Sequence, residues 1–332
     1  MSAAQAPADL PFWAAWGRLL LAPLESAAQL PAAVWAMAAL AVMLSHALRA
    51  SRLAAEWGPR IGLRWGTALR LGLLHNAAVC LLPFRSGELG YAWWLHQGWG
   101  VPLRQSAPSL LWLRLQDLIV LALLTTACLL PDALPDPLPA PLRVPLAGLA
   151  VAGLAALLVW RLQRPIPQRH PDSGDPAPLR WARAPTFVHP LQRALQAGLR
   201  STGGWRAWSF AALNWAIRLA VQGGLLALLL GLPLSAALRG AAGGEWGGLL
   251  PLQLPAGIGP QQGGVWLALQ SAPVELPAAL TVLGAALCVH LFWVGVGLAG
   301  AAAAALWPGE RPWHRPPSTA CPASLPQAEG LS

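Results

Sequence analysis

From Leu276 to Leu306 the chain carries no Asp, Glu, Lys or Arg. At about 1.5 Å of helical rise per residue, that run is longer than the ~30 Å hydrocarbon core of a bilayer requires. A water-soluble domain has nowhere to bury such a segment. The remainder of the 332 residues has the same character, with 56% hydrophobic and only 11% charged residues and a mean hydropathy of +0.50. An ionised side chain at the bilayer centre costs several kcal/mol, so this few can be confined to loops and a handful of intramembrane positions. The chain is therefore expected to be an all-α polytopic membrane protein.

Pro31 to Leu48, Ser106 to Leu130, Leu142 to Trp160 and Ala207 to Leu230 join Leu276 to Leu306 as spans, giving about five full transmembrane helices. Two regions do not fit that pattern. Residues 71–84 and Leu89 to Trp99 are each too short to cross, and Pro83 with the polar run Arg85, Ser86, Gly87, Glu88 separates them. Residues 243–255 and 260–270 are likewise short and broken by Gly257, Gly259 and Pro260. Each pair reads either as a re-entrant hairpin or as one tilted helix kinked at Pro83 or Pro255. Residues 1–29 read as an N-terminal interfacial segment, with Trp13, Trp16 and Arg18 at helical spacing. A single membrane domain follows over 30–306, and 307–332 read as a disordered tail.

Charge gives the expected topology. All 22 basic residues are arginine and the net charge is +9. Arg49, Arg52, Arg60, Arg64 and Arg70 against the lone Glu56 mark 49–70 as a cytoplasmic loop, and the proline-rich stretch 161–206 as a second. Residues 131–141, with Asp132 and Asp136, fall outside. If both regions of short helices are hairpins, parity makes them enter from opposite faces. The expected location is the cell membrane, of the bacterial inner-membrane kind.

Other classes lack their parts. Nucleic-acid binding would place basic residues on a solvated surface among exposed aromatics, and here the arginines sit in loops beside lipid. There is no HExxH, no GxSxG, no GxxxxGK[ST] and no carboxylate pair outside the loops, so no catalytic residue, metal or cofactor is expected. Cys80, Cys128, Cys288 and Cys321 are scattered without metal or disulfide spacing. Most of the 19 tryptophans, such as Trp93, Trp94, Trp99, Trp205 and Trp208, are expected at the interfaces.

The polar residues in the short segments are the candidate substrate site. Ser86 is a good helix N-cap, Gly87 and Glu88 fall in the first turn, and Arg85 precedes it. Helix dipole and guanidinium favour an anion there together, although Arg85 and Glu88 also suit a local ion pair. Arg114 and Asp117 repeat that spacing inside a span, as a mutually neutralising pair or as substrate contacts. In the second hairpin Gly257, Gly259 and Pro260 form a break followed by Gln261 and Gln262. His75, Asn76 and His290 read as packing residues.

The sequence PFRSGELGYAWWLHQGWGVPLRQSAPSLLWLRLQDLIVL, from Pro83 to Leu121, resembles the transmembrane, flippase-like region of the lysylphosphatidylglycerol synthase family. Pro83, Arg85, Gly87, Glu88, Leu89, Arg114 and Asp117 match its first motif. Leu254, Pro255, Gly257, Ile258 and Gly259 resemble its second, with Gln262 where the family has a glutamate. The resemblance implies movement of a phospholipid, isoprenoid-linked or other anionic amphipathic lipid between leaflets. Nothing resembles the family's soluble aminoacyl-transfer domain, so lipid aminoacylation is not expected. The rival expectation is a non-transporting anchor or partner for a lipid-modifying or envelope-biosynthesis enzyme.

Overall fold

The computed structural model describes residues 21, 24–82, 86–133, 204–250 and 255–307. Among them every extended element is helical: α1 (Ala32–Ile61), α2 (Trp65–Leu81), α3 (Glu88–Trp99), α4 (Leu103–Ala133), α5 (Gly204–Leu230), α6 (Leu234–Gly247), α7 (Pro260–Gln270) and α8 (Ala279–Leu306). A 3-10 turn at Pro255–Gly257 precedes α7. Helices α1, α4, α5 and α8 contain the four stretches long and apolar enough to cross a bilayer. The protein is an all-α polytopic membrane protein. The expected span at 142–160, nearly all of the loop at 161–206, most of the N-terminal segment and the tail beyond Trp307 lie outside the described residues.

Both short-helix regions are hairpins of separate helices. Gly87 at the head of α3 lies against the backbone of Ala78, while His75, a turn earlier in α2, meets the rings of Tyr91 and Trp94 at 5.9 and 6.3 Å. That order makes α2 and α3 antiparallel. In the second hairpin Gly240 faces Leu269, Gly243 faces Gly264 and Ala268, and Gly247 faces Pro260. A side chain on Gly243 or Gly264 would collide with the other helix's backbone, so glycine is what lets α6 and α7 touch.

Two expectations need correction. Residues 49–70 are not a loop: α1 runs through to Ile61 and α2 begins at Trp65. The arginines thought to end the helix turn inward instead, with Arg52 only 5% and Arg70 8% exposed. Only Arg60 and Arg64 remain at the turn. The second hairpin starts at Leu234 rather than 243, because Gly231, at φ 64°, ends α5 one residue after Leu230.

The two halves repeat each other. Helix lengths run 30, 17, 12 and 31 residues in α1–α4 and 27, 14, 11 and 28 in α5–α8. Packing is preserved when the halves are exchanged: α1 on α2 as α5 on α6, α3 on α4 as α7 on α8, α8 on α2 as α4 on α6, and α4 on α5 as α8 on α1. The sequence carries the same repeat. Gly62-Leu63, four residues, Ala68-Leu69-Arg70 recurs as Gly231-Leu232, four residues, Ala237-Leu238-Arg239. Both leading glycines are left-handed, at φ 66° and 64°. Ser45 and Asn214, 169 residues apart, meet each other through a 2.7 Å hydrogen bond. Arg49 and Arg218 stand at the same separation. Two equivalent residues in contact mark where a two-fold axis passes.

The repeat is inverted. Arg52 of α1 bonds Leu113, Gln116 and Asp117 of α4, whereas Trp57, further along α1, reaches back to Ser109 through Tyr91. Helices α1 and α4 are therefore antiparallel. Helix α4 runs parallel to α5, since Trp112 meets Trp208 and Asp117 meets Trp215. Helix α5 then runs against α1, and the axis relating the halves lies across the bundle.

Candidate functional site

A cavity of about 520 Å3 opens between the halves. Its wall takes Arg49 from α1, His75 and Asn76 from α2, Glu88 from α3, Arg114 and Asp117 from α4, and from the second half Asn214, Arg218, Glu245, Gln261 and His290. Each hairpin places the first turn of its second helix there, through Glu88 of α3 and Gln261 of α7. Four leucines of α4, Leu110, Leu111, Leu118 and Leu121, complete one side, and Leu111 and Leu118 are exposed on the outer surface as well.

In the first half Arg114 grips Glu88 in a fork, with Nη2 at 2.6 and 2.7 Å from the carboxylate oxygens and Nε at 3.2 Å. His75 Nε2 stands 3.4 Å from the same carboxylate. Asp117 is held by Arg52 at 2.6 Å and accepts from the Trp215 indole at 3.1 Å. The expected Arg114–Asp117 pair exists only as a 3.5 Å contact, because each residue has a better partner on another helix. Glu88 thereby ties the hairpin to span α4.

In the second half the Arg218 guanidinium donates to Glu245 through Nε, and Gln222 donates to the same oxygen at 2.6 Å. Arg218 also lies over the rings of Trp293 and Trp215, 4.8 and 5.5 Å from their centroids. Such stacking stabilises a cation that has left water. His290 bonds the carbonyl of Ala256, a non-glycine residue at φ 64° in the turn before α7. The irregular backbone at this depth is satisfied by protein around a cavity, the condition under which a membrane tolerates it.

Of the residues picked out by sequence, Glu88, Arg114, Asp117 and Gly257 line the cavity. Ser86, Gly87, Gly259 and Gln262 do not, and Arg85 lies outside the described residues. Gln262 serves its own helix instead, accepting the Gly259 amide at 2.7 Å as a cap, while its neighbour Gln261 faces inward. Sequence reasoning missed Arg49, Arg218 and Glu245, and set aside His75, Asn76 and His290. The signal that would have found the arginines is the repeat around Gly62 and Gly231, since Arg49 and Arg218 hold the same place ahead of those glycines.

No protein-family model matches the chain, and no curated protein or solved structure matches it.

Proposed function

We propose that this protein is a flippase-like carrier that passes an anionic amphipathic lipid between leaflets, its headgroup in the central cavity and its acyl chains in the bilayer beside α4. It acts without catalytic chemistry of its own, in a cell membrane of the bacterial inner-membrane type. The observation that carries the reading is the composition of the wall: charged side chains from both halves converge on a volume suited to a small polar ligand, bordered by leucines that continue to the outer surface. Two hairpins related by inversion support it, because transporters build midplane sites from such broken helices.

The test is leaflet-resolved exchange by the purified protein in vesicles containing fluorescent phosphatidylglycerol. Dithionite quenching above the protein-free rate is the expected result. No exchange of phosphatidylglycerol or any other labelled phospholipid, by protein that is folded and inserted, would overturn the reading in favour of an anchor for a lipid-modifying enzyme.

A further inference from the structure

Among the described residues, Arg49, Arg114 and Arg218 line the cavity with Glu88, Asp117 and Glu245, and Arg52 stands behind Asp117, so four guanidiniums share three carboxylates. Arg114 has Glu88, Arg52 has Asp117 and Arg218 has Glu245. Arg49 is left over. Among the described residues no carboxylate lies within 4 Å of it, and its one hydrogen bond is a long 3.4 Å contact from Nη1 to the side-chain oxygen of Asn76. An uncompensated cation inside a membrane protein is costly and calls for a counter-charge.

The internal repeat says what is missing. Arg49 and Arg218 are equivalent, and counting the same separation onward makes Asn76 the counterpart of Glu245. One half supplies its arginine with a carboxylate. The other supplies an amide at the same position, which leaves the charge open and adds a neutral donor, Nδ2, to the same part of the wall. We infer that Arg49 and Asn76 form the anion subsite of the cavity, where a phosphodiester from the ligand takes the place that Glu245 fills in the second half. This rests on the carrier reading above and assigns the headgroup to one side of the axis.

The experiment uses the full chain in nanodiscs and measures binding of phosphatidylglycerol, with glycerol phosphate and inorganic phosphate as soluble arms. Asn76→Asp supplies the absent carboxylate and should weaken phosphatidylglycerol binding by roughly tenfold or more, while leaving thermal stability equal or higher because Arg49 gains a partner. Arg49→Gln should weaken binding similarly, and it serves as the second variant if Asn76→Asp misfolds. Glu245→Gln with Asn76→Asp moves the open arginine to Arg218, and binding should return.

Parent-like affinity in both Asn76→Asp and Arg49→Gln would overturn the inference while leaving lipid exchange, and so the carrier reading, intact. Saturable binding of glycerol phosphate or inorganic phosphate that Asn76→Asp abolishes, in a protein that exchanges no lipid, would uphold the subsite and sink the carrier.

Discussion

The hairpins α2–α3 and α6–α7 occupy equivalent places and differ in how closely their own two helices pack. In the first, Gly87 lies against the backbone of Ala78, and the helix beyond is tied to the neighbouring span by the Glu88–Arg114 fork. In the second, a seam of glycines brings the helices together along their length, and Pro260 stands at the first position of α7, where Glu88 begins α3. Both hairpins are tied to a span by an ion pair, Glu88 to Arg114 and Glu245 to Arg218, and the second adds dispersion and close backbone approach within itself. The same backbone plan thus tolerates a loose and a close-packed hairpin, and both place polar groups on the cavity wall.

The largest break in this comparison should come from Arg114→Ala. It takes from half-buried Glu88 its forked guanidinium, leaving His75 at 3.4 Å, and should cost about 3 kcal/mol, read as a fall in unfolding temperature in detergent. The double variant Glu88→Gln with Arg114→Gln should recover most of that loss. Recovery by Asp117→Asn instead would mean that the intrahelical pair, not the fork, holds the hairpin. His290→Ala, at the equivalent place in the second half, loses only the bond to Ala256 and should cost about 1 kcal/mol.

A methyl group tests the other hairpin. Gly264→Ala should destabilise by about 1–3 kcal/mol, since its Cβ meets the Gly243 carbonyl. Gly263→Ala, one residue earlier with nothing within 4 Å, should be neutral or gain up to about 1 kcal/mol of helix propensity. Equal stability of the two variants would show that the seam is not close-packed. The smallest effect is expected at the axis itself: Ser45→Ala removes one hydrogen bond to Asn214 and should cost about 0.5–1 kcal/mol in the same assay.

Spans and hairpins were legible because length and hydropathy are local properties, and α5 ends at Leu230 as read. What misled was arginine. Counting Arg49, Arg52 and Arg70 as a loop assumes that charges avoid the bilayer, and the partner that brings Arg52 inward, Asp117, is 65 residues away in sequence. The Arg114–Asp117 spacing was visible and their main partners were not, since helix periodicity reports neighbours on one helix and says nothing of the facing one. The repeat was present in the letters throughout, in Ala68-Leu69-Arg70 and Ala237-Leu238-Arg239, but three extra residues before α7 and four more before α8 interrupt its register.

The Ser45–Asn214 bond lies where antiparallel α1 and α5 cross, so the axis through it runs in the plane of the membrane and exchanges the two leaflets. A backbone with that symmetry treats inner and outer faces alike. Helix order, packing partners and turn glycines look much the same from either side, so none of them tells the two faces apart. Around the cavity the faces differ where the repeat departs from itself: Asn76 against Glu245, Arg114 against His290, Glu88 against Pro260, with three and then four inserted residues before α7 and α8. What tells inner from outer face in this fold is carried by those departures.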